Sequence, residues 1–572
     1  MRTPFIAFLT GIVTVRADAP WVNDSSCAVN YKGIERNGTE IFMGIPYAQD
    51  TSGENRFKPP RPYFPAPGSI MDATSPGAAC PQPLGQLFPP LALGNITYIS
   101  EDCLNLNIAR PKSTNPSKKL PVMVWIHGGS FWWASNTEPT TAPDGIVLQS
   151  VKNGSPIIHV AMNYRLGVFG FAQSEALKSE GMNVAHKLTF CLLVGVRDNI
   201  EKFGGDPNKI TIFGQSSGGL AVGMQILAYG GTKPIPFQQG IAQSQALEPG
   251  ITGNFTKDAM IAAAAYVGCN TTCVDAPETI ACLRQMDMDK LLDAAVTTYA
   301  SDIGHNIGDI WLPVVDGDFL PAKPSQLIAE GRIGKATFIS GWTQDDLNYY
   351  TDPTIKSADD TYNFMRAYLP AMPKDSLNEM LDMYPVDDFS QGRDLSSEFY
   401  RTARIFRDIL MVCPSIHLGA AVNSTHSAPV YLYNFNSTIL DTILAITANI
   451  SGLGVVHTSE FAFIFASLQS YNISGFPFGP TEADYELTMR ASRSWSTFAS
   501  QGAPSSTILN RLQDWDKAFG YDGGPYVMTI GGPHAGISAL GGTNATRLMQ
   551  EQKLDKRCAF LNSPSIIHAL QY

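Results

Sequence analysis

Ile210-Thr211-Ile212-Phe213-Gly214-Gln215-Ser216-Ser217-Gly218-Gly219-Leu220-Ala221-Val222-Gly223-Met224 is the stretch that decides the reading of this chain. A short β-branched run ends at Gly214, and a helix-compatible segment begins at Gly219. Between them lies Gly-x-Ser-x-Gly. A serine raised on a sharp strand-to-helix turn requires this context. The turn is strained, so the residues two before and two after the serine must be small. It sets the serine oxygen at the positive end of the following helix, where a developing oxyanion is stabilised.

A second glycine-rich stretch stands upstream, Trp125-Ile126-His127-Gly128-Gly129-Ser130-Phe131, again at the end of an apolar run. Consecutive glycines let backbone N–H groups point at a negative charge forming on a substrate oxygen. Further short apolar runs, at 156–161, 337–339 and 430–433, are bounded by Gly or Pro. Such runs suit strands buried on both faces of a parallel sheet. Helix-like segments at 198–203 and 258–267 separate them, which predicts an α/β sheet covered on both faces. No repeat or clean boundary divides the 572 residues. Residues 18–572 are expected to form one domain with long insertions.

Composition narrows the function classes. The net charge is −11 and no basic stripe is present. Nucleic acid and anionic membrane surfaces repel such a chain. Residues 1–17 read as a signal peptide: Arg2, then an apolar stretch, then Ala17 and Ala19 as small residues near the cut. A buried N-terminal helix is the alternative. Glycosylation sequons are dense, at Asn23, Asn37, Asn95, Asn153, Asn254, Asn270, Asn423, Asn436, Asn449, Asn472 and Asn544. With nine cysteines, these predict a secreted chain with at least one thiol left over. No later stretch carries the run of about 18 apolar residues a spanning helix needs, so no stable membrane insertion is expected.

Several motifs together resemble the type-B carboxylesterases, the family of cholinesterases and fungal lipases. They are Phe42-Met43-Gly44-Ile45-Pro46-Tyr47-Ala48, Arg56-Phe57-Lys58-Pro59-Pro60, Glu101-Asp102-Cys103-Leu104-Asn105-Leu106-Asn107, Asn163-Tyr164-Arg165-Leu166-Gly167, Phe203-Gly204-Gly205-Asp206-Pro207 and Pro313-Val314-Val315-Asp316-Gly317, beside the serine motif. The likeness runs from about residue 41 to residue 560. It implies an α/β-hydrolase fold, with a mostly parallel central sheet, helices on both faces and long insertions. It also implies a serine esterase acting on a small-molecule ester, with no metal and no cofactor.

The resemblance assigns the remaining residues. The triad would be Ser216, Asp346 and His457, in the order Ser, acid, His. Aspartate stands where the family usually has glutamate, and the adjacent Asp345 is its rival. Neutral imidazole is the right base for a serine hydroxyl near pH 7. The oxyanion donors would be the N–H groups of Gly129, Ser130 and Ser217. The second and third replace the family's usual glycine and alanine, and their hydroxyls are expected to narrow the pocket. Ser244 matches a buried serine that supports the acid. Disulfides Cys80–Cys103, Cys269–Cys282 and Cys413–Cys558 are implied, with Cys273 a rival for either partner of the second. Cys27, Cys191 and Cys273 would then be unpaired.

Other residues receive bland readings. His127 is expected to be scaffold for the oxyanion loop, and His159 a satisfied buried histidine. The remaining histidines have no metal-ligand spacing. The segment 184–196 keeps the length of a family helix but has lost its polar signature. Residues 80–103 contain no Trp for cation–π attraction, which argues against a cholinesterase. Leu84, Leu87, Phe88, Leu91 and Leu93 would make a small apolar flap or a covered loop. Trp132 and Trp133 would line an aromatic pocket or pack in the core. The other functions open to the same chain are a lipase, an acyltransferase and, in another class, a non-catalytic binding relative.

Overall fold

A computed structural model describes residues 19–572 apart from 26–27, 87, 113, 116, 271, 307–308, 390–393, 448, 473–478, 506–510 and 521–523. The signal-like start, Cys27 and Leu87 therefore lie outside the described residues. The main sheet comprises β1 (Ile34–Arg36), β2 (Thr39–Pro46), β3 (Asn105–Pro111), β4 (Leu120–Ile126), β5 (Ile158–Met162), β6 (Gly205–Gln215), β7 (Gln239–Gln243), β8 (Thr337–Thr343), β9 (Val430–Phe435), β10 (Tyr526–Ile530) and β11 (Gly536–Ala539). Their spatial order is β11-β10-β9-β8-β7-β6-β4-β5-β3-β2-β1. The strands from β10 to β5 run parallel; the pairs at the two ends are antiparallel. A separate small sheet joins Trp21–Asp24, Val29–Lys32 and Ile70–Asp72.

The apolar runs behave as their composition predicts. In β5, β7 and β9 every residue is buried. Helices cover both faces, so these strands have no solvent side and no alternation. Two large apolar clusters form the core, and β4 shows why there are two. Val122, Val124 and Ile126 point into one, Met123 and Trp125 into the other. Strand geometry sends successive side chains to opposite faces.

Register aligns the strand ends that carry the chemistry. Ile126 pairs with Gly214, Gln215 with Gln243, and Gln243 with Gly341. The connections after β4, β6 and β8 therefore emerge side by side at the carboxyl edge of the sheet, where open α/β sheets bind ligands.

The divergent segment still forms a helix, α1 (Val184–Asn199). Its predicted helical neighbour at 198–203 is only the end of α1 and a 3-10 turn, Ile200–Phe203. Lys187 is buried on α1 and pairs with Asp316 at 3.1 Å and Asp318 at 2.8 Å. One helical stretch, Ser397–His426, is long and apolar enough to cross a membrane by length and composition, though it holds no uninterrupted apolar run of that length. It is 89% buried over that window, as befits a core helix.

Disulfides link Cys80 to Cys103, Cys269 to Cys282 and Cys413 to Cys558, with Cα–Cα distances of 4.9, 5.7 and 5.0 Å. Cys191 and Cys273 are free and exposed. Most sequon asparagines are open to solvent, but Asn153 is not a free acceptor. Its amide nitrogen donates to Arg493 O, Ser496 Oγ and Thr497 Oγ1, and its oxygen accepts from Arg511. A glycan on that nitrogen would break this set.

Candidate active site

The turn after β6 is built by close backbone approach. A Cβ on Gly214 would lie 2.4 Å from Gly218 O, and one on Gly218 would lie 2.1 Å from Ile126 O. No side chain fits either place, which is why the spacing reads so clearly in the sequence. Ser216 takes φ +59° and ψ −132°, a conformation that costs a non-glycine residue about 1–3 kcal/mol. Its N–H donates to Gln243 O at 2.9 Å, and its carbonyl opens helix α2 (Ser217–Leu227) by accepting from Leu220.

The loop after β4 faces this turn. Trp132 N–H and Trp133 N–H donate to Gly129 O at 3.0 and 3.1 Å, and Gly167 N–H donates to Phe131 O at 2.7 Å. Ser130 and Phe131 both sit at positive φ, +51° and +58°. Among the described residues, the N–H groups of Gly129, Ser130 and Ser217 are spent on no internal acceptor. These are the three donors named from the sequence. The Ser217 hydroxyl departs from expectation. It is buried and accepts from Phe131 N–H at 3.2 Å, so it ties loop to turn and does not narrow the pocket.

His457 and Asp346 come together from the connections after β9 and β8. His457 Nδ1 lies 2.5 Å from Asp346 Oδ1, and His457 N–H donates to Asp346 O at 3.1 Å. The second carboxylate oxygen accepts Thr343 N–H at 2.9 Å. Asp345 turns away: its carboxylate accepts Val455 N–H at 3.1 Å and faces Arg404 at 3.9 Å. Arg407 donates to Gln344 O at 2.7 Å and holds the same turn from below. Ser244 is not the support expected for the acid. Among the described residues its hydroxyl makes no hydrogen bond, and Thr343 N–H occupies that role.

Ser216 and His457 line one cavity of about 190 Å³ with Gly128, Gly129, Ser130 and Gln215. Phe88, Leu91 and Ala92, from the loop closed by Cys80–Cys103, form an apolar wall with Trp133. Phe88 and Trp133 have ring centroids 4.9 Å apart. Trp132 instead packs inward on Tyr299 at 3.9 Å. The Glu138 carboxylate pins the far end of the wall, accepting Leu93 N–H and Gly94 N–H, each at 2.9 Å, together with Thr140 N–H and its hydroxyl.

Burial sets the charge states around the site. His127 stacks on Tyr164 at 4.4 Å, with its carbonyl accepting from the Tyr164 hydroxyl, and burial pushes its imidazole down to about 4. It is a neutral scaffold, as expected. His159 is buried and pushed down to about 3 for the same reason, but among the described residues its Nε2 has no partner, so it is not satisfied as predicted. His186, from the divergent helix, packs edge-on against Phe131 of the loop after β4 at 5.4 Å.

Two acidic features carry no local mark in the chain. Glu248 is buried, and its carboxyl meets that of Asp309, which in turn reaches the Ser130 side chain. Burial raises both carboxyls. A hydrogen bond between them requires that one carry a proton. Glu460, three residues after His457, is fully buried, and burial first, then the nearby Asp346 charge, lifts it to about 7.

Glu460 gives a signed prediction. A carboxyl raised in the folded state binds a proton there that the unfolded chain releases, so stability falls as pH rises between about 4.5 and 7. Glu460→Gln removes this loss. The variant is expected to gain up to roughly 3 kcal/mol over the native chain at pH 8 and nothing at pH 4. Thermal unfolding at both values checks it; an equal shift at the two would refute the cause given.

The fold is that of the α/β-hydrolase class. The chain belongs to the carboxylesterase family, which matches residues 29–546, and it is a carboxylic ester hydrolase. A secreted lipase of Arthroderma benhamiae is 45% identical over 99% of this chain and 98% of its own. An inactive carboxylesterase-like protein of Byssochlamys spectabilis is 34% identical over 97% and 96%. A solved PNB esterase structure superposes with a TM-score of 0.72 at 26% identity, covering 91% of this chain and 96% of that one. Among the described residues no group of three His, Cys, Asp or Glu side chains could hold a metal ion.

Proposed function

We propose that this chain is a secreted serine esterase in which Ser216 is the nucleophile, His457 the base and Asp346 the residue that orients it. The observation carrying this reading is the 2.5 Å contact between His457 Nδ1 and Asp346, on an imidazole that shares a cavity with Ser216. Ser216 Oγ attacks the ester carbonyl carbon while its proton passes to His457 Nε2. The carbonyl oxygen becomes an oxyanion held by the N–H groups of Gly129, Ser130 and Ser217. Collapse expels the alcohol, which leaves with the proton from His457. Water then attacks the acyl-enzyme, gives a proton to His457, and releases the acid and free Ser216.

Export is part of the proposal, with residues 1–17 as a signal peptide. The three disulfides and the secreted lipase among its relatives support it. N-terminal sequencing of the mature chain tests the cut after Ala17.

The substrate class follows from the cavity. The cavity of about 190 Å³ is walled by Phe88, Leu91 and Trp133, which favours a short acyl group. Overfilling a packed pocket costs about 1–3 kcal/mol. Soluble short-chain aryl esters are therefore expected to be the better substrates, with no rate jump at an oil–water interface. The apolar wall of Phe88 and Leu91, and the name of the Arthroderma relative, favour a lipase as the second reading. Rates with short and long esters, below and above their solubility limits, separate the two. A sharp rise on emulsion formation would move the assignment to lipase.

A further inference from the structure

His457 Nε2 is already engaged. With Asp346 accepting from Nδ1–H, the base form of the imidazole carries its one lone pair at Nε2. That lone pair accepts a hydrogen bond, so the group facing it must be a donor. The group is the Gln215 side-chain amide nitrogen, 3.1 Å away. Among the described residues no hydrogen bond joins the Ser216 hydroxyl to the imidazole. Gln215 and His457 are both buried, and both line the cavity where a substrate would sit.

One lone pair cannot serve two donors. While the Gln215 amide holds Nε2, the imidazole cannot take the Ser216 proton. The ring itself is held by Asp346 at Nδ1 and by the Tyr350 ring, edge-on at 5.5 Å. The side chain free to give way into the cavity is that of Gln215. We propose that Gln215 is a positioning residue that caps the catalytic imidazole at rest, and that acylation requires its amide to yield Nε2 to the Ser216 hydroxyl. This rests on the triad reading above.

The test uses the full chain and a small sulfonyl fluoride, whose reaction with Ser216 reports the serine–imidazole pair without a leaving alcohol. Gln215→Met keeps the length and removes the donor. It should be labelled about two- to tenfold faster, the range one neutral hydrogen bond supports. Gln215→Glu sets a carboxylate where the amide was, and a carboxylate bonds to Nε2 only when Nε2 carries a proton. The acid limb of the labelling profile should then move up by about one pH unit. Among the described residues, the other ionisable side chains near His457 are Asp346, Glu460, Asp309 and Tyr350, all unchanged in both variants. Labelling of the Met variant at or below the native rate overturns the proposal, and so does an unmoved acid limb in the Glu variant. Labelling that persists in Ser216→Ala would instead sink the nucleophile assignment.

Discussion

Ser216→Ala is expected to lower aryl-ester hydrolysis by roughly 10⁴-fold or more while leaving the unfolding transition in place. The size of the loss follows from triad residues acting as a unit: without an attacking oxygen, His457 has no proton to take. The fold should tolerate the change. Ser216 holds its turn through backbone groups, its N–H on Gln243 O and its carbonyl on Leu220 N–H, and alanine keeps both. The strained φ of +59° stays, because alanine carries the same Cβ. Mass spectrometry of the sulfonylated native protein should place the label on the peptide containing Ser216. Most of the turnover surviving in the alanine variant would show that the nucleophile lies elsewhere.

Asp346→Asn should cost activity by about 10⁴-fold, whereas Asp345→Asn should change it by less than about tenfold. The two residues are neighbours, but their partners differ. Asp346 accepts Nδ1–H of His457 and Thr343 N–H, so an amide there would favour the wrong imidazole tautomer. Asp345 accepts Val455 N–H, a bond an asparagine oxygen can keep. Turnover of the two purified variants at one pH decides it. The opposite ranking would move the acid to Asp345.

These two cases also mark how far sequence could reach. The serine turn was legible because Gly214 and Gly218 are imposed by contacts of 2.4 and 2.1 Å that no side chain survives. The buried parallel strands were legible from uninterrupted apolar runs. Asp345 and Asp346 could not be ranked on residue chemistry alone, since both are aspartates on one turn; the backbone of residue 455 separates them. Ser244 was misassigned because a hydroxyl's partner depends on its rotamer, and here the backbone N–H of Thr343 arrives first. Glu248 and Asp309 lie on separate connections, and nothing local marks either as facing the other. Gln215 stood in the quoted motif, but only the fold shows that its amide reaches an imidazole far along the chain. Asn153 fits a sequon by its letters, yet only the fold shows its amide nitrogen donating to Arg493 O and Thr497 Oγ1.

The Glu138 clamp on Leu93 and Gly94 bears on how this enzyme could change its diet. Together with the Cys80–Cys103 bridge, it fixes both ends of the apolar wall through main-chain groups and a covalent bond. Neither restraint involves the side chains of Phe88, Leu91 or Ala92, which face the cavity. Frame and lining are thus separable. Enlarging or shrinking residues 88, 91 and 92 alters the room for an acyl group while the peptide path around it stays put. Substrate range on this scaffold can drift by single substitutions, with no need for insertions or a new lid.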